Sequence, residues 1–280
     1  MSSRFPMFAV LFVAALDVAG ASRGQDVQDR IDAELELGRP IVIHVVVALC
    51  DNEYQGIVPV PKAIGNGQDP KSNLYWGAAF GVKTFLPKRA GWSLVSHGPG
   101  AGPVLERIVL KKEIVRGKRT VPVFLVADAW DGRTIRDAIV RFLGMAAGRD
   151  AEAIAVDGMP EALHAGGNAH LVAFVGHDGL MDFSLASSPA ARAKAPPRSS
   201  IVLACASQAY FSPHLARGGS HPLLLTTNLM APEAYTLDAA VTSFAKGESP
   251  AAVVEAAASA YSKYQKCSMK AARGLFTGTP

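Results

Sequence analysis

Two short stretches carry residue types able to break an amide bond: Gly176-His177-Asp178-Gly179 and Cys205-Ala206-Ser207. A thiolate is the attacking form of cysteine, and an imidazole can hand a proton to a leaving amine. A His and a Cys within reach therefore make a nucleophile and its proton-transfer partner. Gly176 and Gly179 let backbone approach a substrate closely and offer N–H donors to an oxyanion. Taken singly, a Cys after an apolar run is more often a small buried hydrophobe, and a His in a glycine-rich turn a polar loop residue. Their joint placement shifts that balance. The first stretch follows His170-Leu171-Val172-Ala173-Phe174-Val175 and the second follows Ser200-Ile201-Val202-Leu203-Ala204, both patterned as buried strands.

Side chains just past the carboxyl ends of parallel strands converge on one edge of an α/β sheet, and neighbouring strands lie about 4.8 Å apart. The spacing thus predicts His177 and Cys205 within reach of one another. Chain order separates thiol enzymes: papain-like peptidases and glutamine amidotransferases place Cys before His, whereas here His177 comes first. An apolar strand ending in Gly-His-x-Gly, then an apolar strand ending in Ala-Cys, resembles the caspase, legumain, gingipain and clostripain superfamily of cysteine peptidases. The resemblance covers about residues 40–246, and its specific part is these two motifs. It implies a general acid/base role for His177, a nucleophile at Cys205 and an oxyanion donor at the Asp178 or Gly179 amide. It also implies an α/β, three-layer sandwich with a mostly parallel sheet of about six strands.

The elements that must position the pair are legible in part. Residues 26–37 place Val27, Ile31, Leu35 and Leu37 on one helical face, ended by Gly38-Arg39-Pro40. Ile41 to Leu49 reads as a central strand covered on both faces. Residues 50–72 have loop composition, and a helix capped by Ser72 or Asn73 is expected through Trp76 to about Leu86. Strands are predicted at 91–95, 121–127, 170–175, 200–204 and 222–226, and helices at 134–148, 232–246 and 250–266; segment 104–116 fits a strand pair or a helix. Trp76 and Trp92 are expected in the core, and residues 187–199 form a surface loop.

Further candidates share the predicted edge. Asp51, Asn52 and Gln55, after the first strand, and Thr227 and Asn228, after the last, are candidate substrate-binding residues. Cys50 also ends a strand and is an alternative thiol; a Cys50 to Cys267 disulfide is left open. Three cysteines in an exported chain leave at least one unpaired or paired between molecules. Asp182, His170, His177, His214 and His221 lack the spacing of a metal motif, so no metal and no other cofactor is expected. Gly65-Asn66-Gly67 is read as a turn, without the strand-to-helix setting or the Lys of a phosphate loop, which weakens a flavodoxin-like reading.

The chain of 280 residues, 49% hydrophobic, is long enough to bury a substantial core. Its formal charge of +4 is scattered, which argues against nucleic acid as a partner. Arg4, the apolar stretch Phe5 to Gly20 and the small residues Ala21 and Ser22 have the order of a secretory signal peptide, residues 1–21, leaving 22–280 as one domain that is secreted or periplasmic. No later segment has the length and apolarity of a membrane span. The expected activity is hydrolysis of a peptide or protein substrate. The rival reading is a catalytically inactive binding or adaptor protein of the cell envelope on the same fold.

Overall fold

The computed structural model describes residues 23–278, so the expected signal peptide lies outside the described residues. Strand β1 (Ile41–Ala48) is buried at every position, as its β-branched run requires. It pairs in parallel with β4 (Arg119–Trp130) on one side and β7 (Leu171–Val175) on the other. Parallel pairing continues to β8 (Ser199–Leu203) and β9 (His221–Thr226). Antiparallel strands complete both ends: β3 (Val104–Arg116) and β2 (Ser93–Gly98) beyond β4, and β10 (Phe276–Thr277) beyond β9. The sheet is therefore α/β and mixed, with eight strands in the order β10-β9-β8-β7-β1-β4-β3-β2.

Eight strands correct the expectation of about six. Segment 104–116 resolves as a single long strand whose charged residues fall in adjacent runs rather than alternating, and β10 is two residues long, too short for any periodic signal. A separate hairpin, β5 (Ala151–Ile154) with β6 (Leu163–Gly166), was also not anticipated.

Helices cover both faces, an arrangement compatible with three layers. The helix α1 over residues 23–36, α2 (Val82–Arg89), α5 (Ala234–Ala245), α6 (Pro250–Gln265) and α7 (Met269–Leu275) build one hydrophobic cluster with the odd-numbered residues Ile43, Val45 and Val47 of β1. On the other face α3 (Ile135–Ala146) and α4 (Ser207–Gly218) pack Phe142 and Phe211 on Phe174 of β7. Among the described residues no helix is long and apolar enough to cross a membrane.

The helix expected from Ser72 or Asn73 to Leu86 begins only at Val82. Asn73 does not cap a helix. Its Oδ1 accepts from Cys50 N at 3.1 Å and its Nδ2 donates to Cys50 O at 2.8 Å, tying residues 66–80 into turns below the first strand. A Cβ on Gly77 would stand 2.0 Å from Lys71 O, which marks how tightly those turns stack. Trp76 and Trp92 are buried.

Candidate active site at the carboxyl ends of β7 and β8

The β7–β8 ladder runs in constant register from Leu171↔Ser199 to Val175↔Leu203 and ends with Gly176 N donating to Leu203 O at 3.2 Å. Two residues further along each chain, past the last paired residues of β7 and β8, stand His177 and Cys205. Ala173 and Val175 share the face of Ile201 and Leu203, and the sulfur of Cys205 lies against Met230 of that same cluster. The pair also adjoins β1, where the connections reverse from β4 to β7, the topological switch point at which open α/β sheets bind ligands.

Cys205 is half-buried, in a tight turn from β8 into α4. Ala206 is left-handed, at φ 49° and ψ 30°. A residue with a Cβ costs about 1–2 kcal/mol there, so the turn must be held from outside. Ser207 and Thr226 hold it. Ser207 N donates to Thr226 Oγ1 at 3.1 Å, Thr226 N donates to Ser207 Oγ at 2.9 Å, and Ser207 Oγ donates to Val202 O at 3.0 Å. Thr226 Oγ1 also bonds Ala204 O, and both side chains are fully buried. Cys205 thereby sits just before the N-terminus of a twelve-residue helix. Its sulfur lies 3.4 Å from Met230 N and 3.6 Å from Met230 O.

His177 is partly exposed, and its Nε2 meets Asp182 Oδ2 at 2.6 Å. The carboxylate fixes the ring and leaves Nδ1 for other partners. Asp182 follows the short 3-10 turn Gly179–Met181, five residues beyond the histidine. Residue reasoning reached Asp182 only as a weak metal ligand; a carboxylate one turn past a histidine was the signal available. Between them Asp178 is fully buried, with Oδ1 accepting from Leu180 N and Oδ2 without a partner. Burial pushes its carboxyl up to about 7.

The two expected oxyanion donors differ. Gly179 N donates to His177 O at 3.1 Å, closing the turn. The Asp178 and Cys205 amides make no hydrogen bond among the described residues and are the donors left over.

The loop after β1 is built from the residues expected to contact substrate. Asp51 and Gln55 are buried: Asp51 accepts from Glu53 N, Tyr54 N and Gln68 Nε2, and Gln55 Nε2 donates to Leu49 O at 2.7 Å and Gly132 O at 3.0 Å. Asn52 bonds both N and O of Val60. Their polar atoms are engaged in holding the loop, in which Asp51 and Gln55 are buried. The Gly65-Asn66-Gly67 turn belongs to the same packing, since a Cβ on Gly67 would stand 2.3 Å from Asp51 Oδ2. Thr227 and Asn228 are exposed beside the Cys205 turn, where Asn228 O accepts from Ala206 N at 2.9 Å. With Leu229, Tyr261, Cys267 and Lys270 they line an open groove.

Cys50 is no rival nucleophile. It is fully buried, and burial pushes its thiol up to about 11. All three cysteines are free, so Cys50 and Cys267 are not paired.

His44, Asp128 and Glu152 bring ligand atoms within 4.8 Å of one another on the opposite face. Arg107 already bridges them, donating to Asp128 Oδ2 at 2.6 Å and Glu152 Oε2 at 2.8 Å, and Arg141 adds a second cation at Glu152. Two guanidinium charges neutralise these carboxylates, so the group reads as an internal ion network rather than a metal site.

Compared with known proteins, the chain matches no protein-family model, no curated protein and no solved structure.

Proposed function

We propose that this protein is a cysteine peptidase of caspase-like type that hydrolyses a peptide or related amide bond through Cys205 and His177. The observation that supports this reading is that β7 and β8 are adjacent and parallel, with His177 and Cys205 each two residues past the last paired residue of its strand and Cys205 just before α4. The Cys205 thiolate attacks the carbonyl carbon and forms a C–S bond. Negative charge on the oxygen is met by the free Asp178 and Cys205 amides. The C–N bond breaks as the imidazolium of His177 gives its proton to the departing amine. Water then hydrolyses the thioester, its proton returning to His177 and the acid and thiolate being released. Asp182 acts through His177 by orienting the ring. The proposed setting is outside the cytoplasm, following the signal-like N-terminus.

The binding-protein reading draws support from Gly179, whose amide is spent within its own turn. A direct test decides between them. Cys205→Ala is expected to abolish both peptide turnover and labelling by a peptidyl acyloxymethyl ketone, with the circular dichroism spectrum unchanged. Labelling undiminished in that variant overturns the assignment.

A further inference from the structure

Cations that lie far apart in the sequence are gathered by the fold at one edge of the sheet. Helices α3 and α4 leave the carboxyl ends of β4 and β8 and run back. Arg149, just past α3, and Arg217, in the last turn of α4, therefore arrive at the amino edge. The loop into β8 adds Arg192, Lys194 and Arg198. It is pinned there: Arg192 N donates to Ala147 O at 2.8 Å, Arg149 Nε to Ala190 O at 2.9 Å and Arg217 Nε to Ser188 O at 3.1 Å. Arg30 of α1 joins them through Asn168, whose backbone oxygen accepts from Arg30 at 2.7 Å and whose Oδ1 accepts from Arg192 at 3.1 Å.

The oxygens that meet Arg149, Arg192, Arg198 and Arg217 are all neutral, carbonyls left over at the end of α3 among them. Carbonyls satisfy the N–H groups and leave the charge standing. Among the described residues none of these four, nor Lys194, forms an ion pair. The carboxylates nearby are used elsewhere, Glu34 by Arg30 and His170, and Asp150 by Arg141. Asp26 and Asp29 of α1 pair with none of the five; Asp29 accepts from Gln25. Arg198 is the sharpest case. It is 4% exposed, its Nε has no partner, and burial, with the charges of Arg30 and Arg192, pulls its guanidinium down to about 10. A buried cation repelled by two others is stabilised by negative charge brought to the edge. Arg149, Arg192, Lys194 and Arg217 are exposed there to meet it.

The N-terminal part of the chain identifies the source of that charge. Gly24, in the first turn of α1, packs on His221 at the start of β9, where an added Cβ would stand 3.0 Å from Nε2. The stretch of residues 5–20, apolar by sequence, thus joins the fold at this same edge. Apolar chain beside clustered Lys and Arg suits an anionic bilayer better than a soluble polyanion.

We propose that the amino edge of the sheet docks on a membrane surface bearing anionic phospholipid headgroups, with Arg149, Arg192, Lys194 and Arg217 meeting the phosphates. From Arg198 to Cys205 the chain runs the length of β8, about 20 Å, so the docked protein turns the edge with Cys205 away from the bilayer. The docking is independent of any thiol chemistry.

The test is co-sedimentation of the full chain with vesicles of phosphatidylcholine alone and of an equal mixture with phosphatidylglycerol. The neutral vesicles register what residues 5–20 contribute. The mixed vesicles are expected to bind about 500-fold more tightly at low ionic strength, about fivefold for each exposed cation, and the gain to fade as salt is raised. The triple variant Arg149→Gln/Arg192→Gln/Arg217→Gln is expected to lose about 100-fold of that gain. Arg149→Lys/Arg192→Lys/Arg217→Lys, which keeps the charge and loses the fork, is expected to retain it. Lys194→Glu alters a side chain that bonds nothing among the described residues, and is expected to cost about 25-fold on its own. Equal binding to the two vesicles, or a preference untouched by both the Gln set and Lys194→Glu, overturns the proposal. Binding of duplex DNA or polyphosphate without binding of vesicles also overturns it, and assigns the edge to a soluble polyanion.

Discussion

Asp178 offers a quantitative check on the geometry beside His177. Its side chain is fully buried, one oxygen bonds Leu180 N and the other has no partner. Burial pushes its ionisation from the ordinary 3.8 up to about 7. The folded state thus holds the proton more tightly than the unfolded chain, so the stability linked to this group is complete below about pH 3.8 and lost as pH rises through about 7. At about 1.36 kcal/mol per decade of proton affinity, the loss amounts to about 4 kcal/mol between pH 4 and pH 8. Asp178→Asn does not titrate. It keeps the acceptor for Leu180 N but places an amide nitrogen at the unpartnered position, a cost of about 1–3 kcal/mol at all pH values. The variant is accordingly the less stable protein near pH 4 and the more stable one near pH 8. Urea unfolding followed by tryptophan fluorescence at several pH values measures both, and groups common to the two proteins, such as His170 and His221, cancel in the difference. A stability difference that stays constant from pH 4 to pH 8 refutes the reasoning and shows that Asp178 is solvated or paired.

The remaining predictions concern the turn and the proton carrier. Ser207→Ala strips a buried hydroxyl that bonds Val202 O and Thr226 and should lower stability by about 2–3 kcal/mol in a urea titration, together with loss of Cys205 labelling; a midpoint within error of wild type contradicts the lock. Ala206→Gly relieves a left-handed Cβ worth about 1–2 kcal/mol while adding freedom worth up to about 1 kcal/mol to the unfolded chain. It should leave stability level or raise it by about 1 kcal/mol, and a clear drop in the unfolding midpoint counts against strain at this residue. Asp182→Asn keeps the size of the group near His177 but not its charge. Because Asp182 is about half exposed, the fall in kcat should be modest, roughly tenfold with KM and thermal midpoint unchanged, and an unaltered kcat removes Asp182 as the orienting group. Cys50→Ser should leave peptidyl-ketone labelling intact; its loss would assign the reactive thiol to β1.

What the chain revealed before any coordinates follows from where physical signals are strong. The parallel strands were legible because burial on both faces leaves continuous apolar runs, as in Ile41 to Leu49 and Leu171 to Val175. Their ends were legible with them, which is why His177 and Cys205 could be placed just past Val175 and Leu203. Segment 104–116 resisted because Arg107, Lys111 and Lys112 sit on a strand near the sheet edge, and the loop at 50–80 resisted because Asp51, Gln55, Gln68 and Asn73 are polar residues used as core. Composition reads such residues as solvated loop, and only their mutual hydrogen bonds reveal otherwise.

The two halves of the proposed dyad are held by unequal means, and this bears on how each can fail. Cys205 is placed by a strained turn that five hydrogen bonds between Ser207, Thr226 and the backbone of β8 determine from within the core. Its position cannot relax without breaking the connection from β8 to α4, so damage there removes folding and chemistry together. His177 is steered by one carboxylate about half exposed to water, on a turn whose closing bond is Gly179 N to His177 O. That side has a few rotatable bonds between the ring and its support, and damage there can remove chemistry while the sheet stays intact. Under the proposed mechanism, a rigid nucleophile with an adjustable proton carrier would suit a reaction in which the imidazole must serve the departing amine first and the incoming water second, at different points along the same path.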